Sequence, residues 1–556
     1  MPAQKKKADE YQTLVVGGAY LVKGLMRRLR IVEAINEALP HQPAKGASYG
    51  ELMQVLIANR LSFTPEPLVH MAAWAAEHGL DRVFGLEAAS LDDDRLGAGL
   101  EGLAEHQVDI WVAVLKRAVA QCGLDLSELH DDTTSVYFEG AYEDATGQPL
   151  GGGERIPLMV EGYNKDGQRH KVQFVLSLVV AGRTPVWYRP WDGNQTDDAV
   201  YLADMTALRQ TLLAPENAVL IGDRKLSNQA TLVAFSRENQ RFLGAHPWTD
   251  SAKAVWRETQ ARLAARQLSW QPSDYVSQNE ARKPAAERTH YQVCEVRHDI
   301  VDSETGVSYP VRWIFSHSSA KAALDLRRRE KVLAAGEAAL RRIAGLVGKY
   351  DYTRQAVIEQ RLEQALHKVQ ARAYFSYTLT GSDKAGDWRL RWRRLPKAIQ
   401  TEAAFDGVAL LCTNVPAADW SAATVMSKYK QQVLAEQAID FIKSPVQIRP
   451  MWLHQPKRLA GLTLVIMLAV LLAALLELQV RRWLAKQGQS LTGLRPGKRR
   501  TAMPTAEALL KAFADYTLVI VRRARGDEDV HLAQLRPLQQ QIWNALQLPP
   551  IAELAA

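Results

Sequence analysis

Cysteine is scarce in this chain. Its 556 residues hold three, Cys122, Cys294 and Cys412, far apart and without a CxxC pair. That spacing argues against a zinc knuckle or a disulfide framework and fits a reducing cytoplasm. Also missing is an apolar run behind the basic start "MPAQKKKADEYQ", so no secretory signal is expected. Long uncharged runs are nearly absent too. "LAGLTLVIMLAVLLAALL", Leu459 to Leu476, is the single candidate. It just reaches the length of a membrane span. Being one Ala-rich run with no second candidate, it is read as a buried helix at the centre of an α/β domain. No helix-turn-helix pattern stands out either.

What is present is an ordinary globular composition, 47% hydrophobic and 23% charged. The chain is too long for one core, so several domains are expected. Net charge is +8, a hint of a polyanionic partner. Its distribution says more than its sum. Between Arg481 and Arg525 eleven Lys and Arg face only Glu507 and Asp515, an excess larger than that of the whole chain. The rest is close to neutral.

Residues 1–125 read as a helical domain suited to DNA-end binding or dimerisation, with Arg27, Arg28 and Arg30 among its cations. The pattern then changes to β-rich runs at 128–138, 170–180 and 184–190. A helical period follows near 200, then the short strand "NAVLIGDR" (217–224), a helix, and "RFLGAH" (241–246). Three strands in a meander with later strands added by helical crossovers make a mixed sheet with helices on both faces. This core is expected over 126–250 and again over 416–480. Residues 251–415 read as an α+β insertion built on two long helices, near 321–348 and 353–371, and 481–556 as a basic C-terminal region. In the insertion, "WRLRWRR" puts Trp388, Leu390 and Trp392 on one side of a strand and Arg389, Arg391 and Arg393 on the other. An edge strand with a charged face and a phosphate-binding row both fit that pattern.

Carboxylates supply the candidate chemistry. "HDDTT" places Asp131 and Asp132 on the first strand, where neighbours point to opposite faces, and the spacing alone does not choose between them. Asp223 ends the strand "AVLIGD", where open α/β sheets present functional groups. In "YKQQVLAEQAIDFIK", a helix of roughly 100° per residue gathers Tyr429, Gln432, Glu436 and Lys443 within about 60°. The apolar residues fall on the opposite side.

The spacing Tyr-x2-Gln-x3-Glu-x6-Lys resembles the Tyr-x2-Arg-x3-Glu-x6-Lys helix of a group of DDE transposases from bacterial insertion sequences. "DTTSVYFEG", "GNQTD", "VLIGDR" and "YKQQVLAEQAIDFIKS…RP" are similar to that family's blocks, in order, across residues 128 to 480. The resemblance implies an RNase H-like catalytic domain split by an insertion. It favours Asp132 over Asp131 and implies a catalytic and metal-ligating set of Asp132, Asp223 and Glu436. It further implies Mg²⁺, with Mn²⁺ as a substitute, and a two-metal cleavage and strand-transfer mechanism. Double-stranded DNA is the implied partner, at terminal inverted repeats and at the target, bound by a homodimer in the bacterial cytoplasm near the nucleoid. Tyr429, Gln432, Lys443 and the row Arg389, Arg391 and Arg393 are the expected DNA contacts. Gln432 departs from the motif, because an amide cannot make the charged bidentate contact of arginine. Two other readings stand beside this one: a nuclease of the same fold without strand transfer, and a DNA-binding remnant without activity.

Overall fold

The β-rich runs are rich in β-branched and aromatic residues, which suit a pleated strand. The first is β1 (Glu128–Tyr137), the second β2 (Val172–Ala181) and the third β3 (Thr184–Trp191). The second, "VQFVLSLVVA", is buried along nearly its whole length. Gly182, at φ +62, makes the tight turn between β2 and β3, a conformation glycine adopts without a Cβ penalty. The three strands pair antiparallel, with Asp132 opposite Leu178. The chain then crosses through helix α1 (Val200–Leu212) into β4 (Val219–Gly222), which joins the free side of β1 in parallel.

The computed structural model describes residues 9–39, 46–138, 147–150, 155–164, 167, 170–196, 199–212, 215–277, 279–384, 387–443, 453, 455–494, 496–523 and 527–555. Three parts of the motif blocks, Glu139 and Gly140 of "DTTSVYFEG", Asp197 of "GNQTD" and the stretch 444–450, lie outside these residues. The chain divides into two compact units. One comprises Met1–Leu226, Ala230–Phe242 and Gln431–Ala556, the other Ser227–Gln229 and Leu243–Lys430.

In the first unit, helix α2 (Val433–Lys443) lies on β1 and β2, burying Ala435, Ala438, Ile439 and Ile442. The long apolar run becomes the middle of helix α3 (Pro456–Gln487), buried inside the protein over almost all of that run. It packs along the helix Asp93–Glu105 so closely that a Cβ on Gly461 would lie 2.0 Å from the Leu100 carbonyl oxygen. Arg458–Glu101 and Lys457–Glu105 ion pairs, at 2.8 and 2.6 Å, flank this crossing.

The separate domains expected at 1–125 and 481–556 are parts of this one unit. The strand Glu10–Val15 pairs antiparallel with Thr517–Arg522, which pairs in turn with Glu528–Leu532. Much of the basic C-terminal region is spent on internal pairing. Arg481 binds Glu477 at 2.8 Å, Arg522 and Arg523 bind Glu528 and Asp529, Arg536 binds Asp515, and Arg482 donates to the Cys122 carbonyl.

The second unit carries an antiparallel sheet in the order Leu243–His246, Val408–Thr413, Ser308–Ser318, Tyr291–Val301 and Gln271–Ser273. Helices Ser319–Ala344 and Gln355–Lys368 form the expected hairpin around Leu333, Leu340, Ile343, Ile358, Leu362 and Leu366. A two-stranded ribbon, Phe375–Thr380 with Arg389–Arg394, packs Trp388, Leu390 and Trp392 onto that cluster.

Candidate active site

The parallel register of β1 and β4 decides which acidic residues meet. Glu128 pairs with Val219, Leu129 with Leu220 and His130 with Ile221. The same offset carried two residues further sets Asp132 opposite Asp223, on neighbouring strands ~4.8 Å apart. Both side chains are half-buried, at the end of β4 where an open α/β sheet exposes its functional groups.

Both aspartates are anchored by local hydrogen bonds. Asp132 Oδ1 accepts from the Thr133 amide at 2.7 Å. Asp223 Oδ1 accepts from the Tyr201 hydroxyl at 2.7 Å and from the Lys225 amide at 2.8 Å. Both bonds to Asp223 fall on Oδ1, so Oδ2 is the oxygen it can offer a ligand. Tyr201, in the first turn of α1, is 1% exposed. Its phenol pKa is pushed well above the ordinary value, first by burial, then by the charge of Asp223, with Asp131, the Asp223 hydrogen bond and Asp132 adding to it. The hydroxyl therefore stays protonated and donates.

Asp131 and Asp132 are distinguished by burial. Asp131 is 0% exposed, on the face of β1 opposite to Asp132. Asp132 is the partly accessible member of the pair.

Glu436 lies in the first turn of α2 and is exposed beside Gln437 and Asp440. The positive end of the helix dipole favours a carboxylate there. The continuous stripe expected from Tyr429 to Lys443 does not form. Tyr429 ends a separate helix, Ala422–Tyr429, in the second unit, and a 3-10 turn over Lys430–Gln432 shifts the helical phase before α2 begins. Lys443 is half-buried at the last position of α2.

Gln432 points inward. It is 8% exposed, its Nε2 donates to the Asp131 carbonyl at 2.8 Å, and its Oε1 lies 3.1 Å from His130 Nδ1. The first bond fixes the amide orientation, so His130 Nδ1 is the donor in the second. A buried amide bonded to β1 at both ends is not presented to a phosphate, which differs from the expected DNA contact.

Hard carboxylate oxygens on adjacent strands are the ligand type Mg²⁺ takes. Yet among the described residues no three His, Cys, Asp or Glu side chains come together closely enough to hold a metal ion. Glu436 as placed does not complete the expected three-carboxylate site.

The expected arginine row forms as the alternation requires. Arg389, Arg391 and Arg393 are exposed on one face of the ribbon, opposite Thr380, Thr378 and Ser376, and Arg393 Nε donates to Ser376 Oγ at 3.2 Å. Tyr201 and His130 were not anticipated from sequence. A residue two positions before Asp132 shares its strand face, which was a usable signal for His130. Nothing local marks Tyr201.

Residues 12–115 match a domain family. Its description is "Domain of unknown function (DUF4277)", and the match covers the N-terminal part of the first unit. No curated protein matches the chain. Among solved structures, the chain is similar to a piggyBac transposase in a synaptic complex with hairpin DNA. The TM-score is 0.35 and the identity 9%, over 89% of this chain and 79% of the other. A likeness at that level assigns neither fold nor activity.

Proposed function

We propose that the chain is a transposase of the DDE type, which binds the ends of a mobile DNA element, cleaves them and joins them to target DNA. The observation that carries this reading is the parallel register of β1 and β4, which, extended two residues, sets Asp132 opposite Asp223, with Tyr201 holding Asp223. The motif blocks around both residues support it.

In the first step, a water oxygen bonds to phosphorus and the P–O3′ bond breaks, leaving a 3′-OH on the element and a 5′-phosphate on the flanking DNA. In the second, that 3′ oxygen bonds to a target phosphorus and displaces a target 3′ oxygen, so the number of phosphodiesters is conserved. Asp132 and Asp223 hold the attacking oxygen and receive its proton, and the Tyr201 hydroxyl keeps Asp223 aimed. Two carboxylates repel a phosphodiester, so the reading requires added cations, and Mg²⁺ is the proposed one. Arg389, Arg391 and Arg393, Tyr429 and Lys443 are each proposed to contact the DNA backbone, and the protein to act as a dimer.

A nuclease without strand transfer would use the same pair. The inactive-remnant reading rests on Gln432 in place of arginine. The test incubates the chain with DNA carrying the inverted repeats that flank its coding region and follows cleavage and joining to a plasmid. Cleavage without joining would favour the nuclease. No cleavage by a folded protein, with Mg²⁺ or Mn²⁺, would end the proposal.

A further inference from the structure

We infer that Gln432 and His130 are a positioning pair, which sets the helix carrying Glu436 against the strand carrying Asp132. This rests on the function proposed above, but it concerns a contact that function does not explain. Gln432 is the last residue of the 3-10 turn that leads into α2, and Glu436 follows four residues later. His130 and Asp132 are two apart on β1 and share its face. The amide therefore links the N-terminal end of one carboxylate's helix to the strand of another.

Both ends of the link are buried, His130 at 2% exposed and Gln432 at 8%. Both polar ends of the Gln432 amide are used, one on a ring N–H and one on a backbone carbonyl, at 3.1 and 2.8 Å. Two bonds to successive residues of one strand fix the end of α2 in position and rotation. The apolar contacts of Ala435, Ala438, Ile439 and Ile442 hold the helix down, but such contacts are non-directional. The amide's directional bonds specify where along β1 the helix begins. A shift of about 1 Å in a supporting group can cost about a hundredfold in rate. Arginine at 432 would have five donors and no acceptor for a His130 Nδ1–H, so the pairing seen here is one an amide makes and arginine does not.

The test uses the full chain and three variants, Gln432→Ala, Gln432→Arg and His130→Phe. Hydrogen exchange of the backbone amides of 433–443 is read alongside the kinetics of DNA-end cleavage. The expected result is faster exchange confined to α2, and a fall in kcat of roughly ten- to a hundredfold with the KM for DNA within about twofold. In the double variant Gln432→Ala/His130→Phe the losses should not add. Gln432→Arg should behave like the alanine variant. Unchanged exchange in α2, additive losses, or a Gln432→Arg protein that binds DNA more tightly at full activity would each overturn the inference. If the wild-type chain cleaves no DNA, the proposed function fails. The pairing is then judged by exchange alone, where selective loosening of α2 upholds it and no change sinks it. If Gln432→Ala does not fold, His130→Phe and the more conservative His130→Asn provide the same readings.

Discussion

Removing one oxygen atom from the site gives a prediction of calculable size. Tyr201→Phe keeps the ring in its buried position and deletes only the hydroxyl, whose bond to Asp223 Oδ1 is 2.7 Å long. Hydrogen bonds to a charged group are worth roughly 1.5–3 kcal/mol. The Lys225 amide still holds the same oxygen, so Asp223 loses one of two restraints and keeps its place on the strand. If the lost restraint matters chiefly while the reacting phosphate is held, that energy corresponds to a roughly ten- to 150-fold fall in cleavage rate. DNA affinity should hold, since the phenol is buried and touches no exposed surface. Single-turnover cleavage measures the rate, filter binding the affinity, and thermal melting the fold. Because burial and the nearby carboxylates keep the phenol protonated well above pH 10, the wild-type rate should show no inflection from Tyr201 between about pH 6 and 9. A Tyr201→Phe protein that cleaves within twofold of wild type would refute the role given to this hydroxyl. So would one that loses binding as much as rate.

Other consequences follow from particular contacts. Gly461→Ala gains about 1 kcal/mol of helix propensity. Its Cβ, however, meets a helix backbone carbonyl that cannot rotate away, so a net loss of about 1–3 kcal/mol is expected in urea unfolding. Arg329→Ala leaves Asp406 without its two-pronged partner in a largely buried setting. Breaking such a pair costs about 3–5 kcal/mol, and a melting temperature within a degree of wild type would contradict it. Replacing Arg389, Arg391 and Arg393 together by Gln should weaken DNA binding and flatten its log–log salt slope by about 2.7, the value for three phosphate contacts, without altering the melting curve. Chelation should abolish cleavage, and Mg²⁺ or Mn²⁺ should restore it; cleavage persisting in chelator would remove the metal from the proposal.

How much of this was legible in sequence varies from element to element. β2 was readable because its near-continuous apolar run, ended by "AGR" before β3, leaves few alternatives, and β1 and β3 because they are rich in β-branched and aromatic residues. The long helical hairpin was readable from the spacing of Leu333, Leu340, Ile343, Ile358 and Leu362. Asp132 and Asp223 were readable as strand residues, but their opposition depends on the register between strands 91 positions apart, which no local pattern encodes. Gln432 was misread because a helical wheel assumes one unbroken helix. The 3-10 turn at Lys430–Gln432 changes the phase, and a polar residue in a wheel looks the same whether it meets water or a buried strand. The union of the chain's two ends was hidden for a similar reason. Pairing Glu10 with Arg522 depends on two strands at opposite ends of the sequence. The internal pairing of the basic C-terminal region was hidden because a charge count does not reveal that Arg522, Arg523 and Arg536 have carboxylate partners.

Whether Asp132 and Asp223 act as a pair on DNA is decided by joining an inverted-repeat oligonucleotide to a plasmid. The assay compares wild-type, Asp132→Ala and Asp223→Ala proteins of equal melting temperature. A joined product is expected with the wild type alone, with no 3′-end cleavage by either variant. Cleavage or joining by Asp223→Ala at the wild-type rate would show that the two aspartates are not the reacting pair.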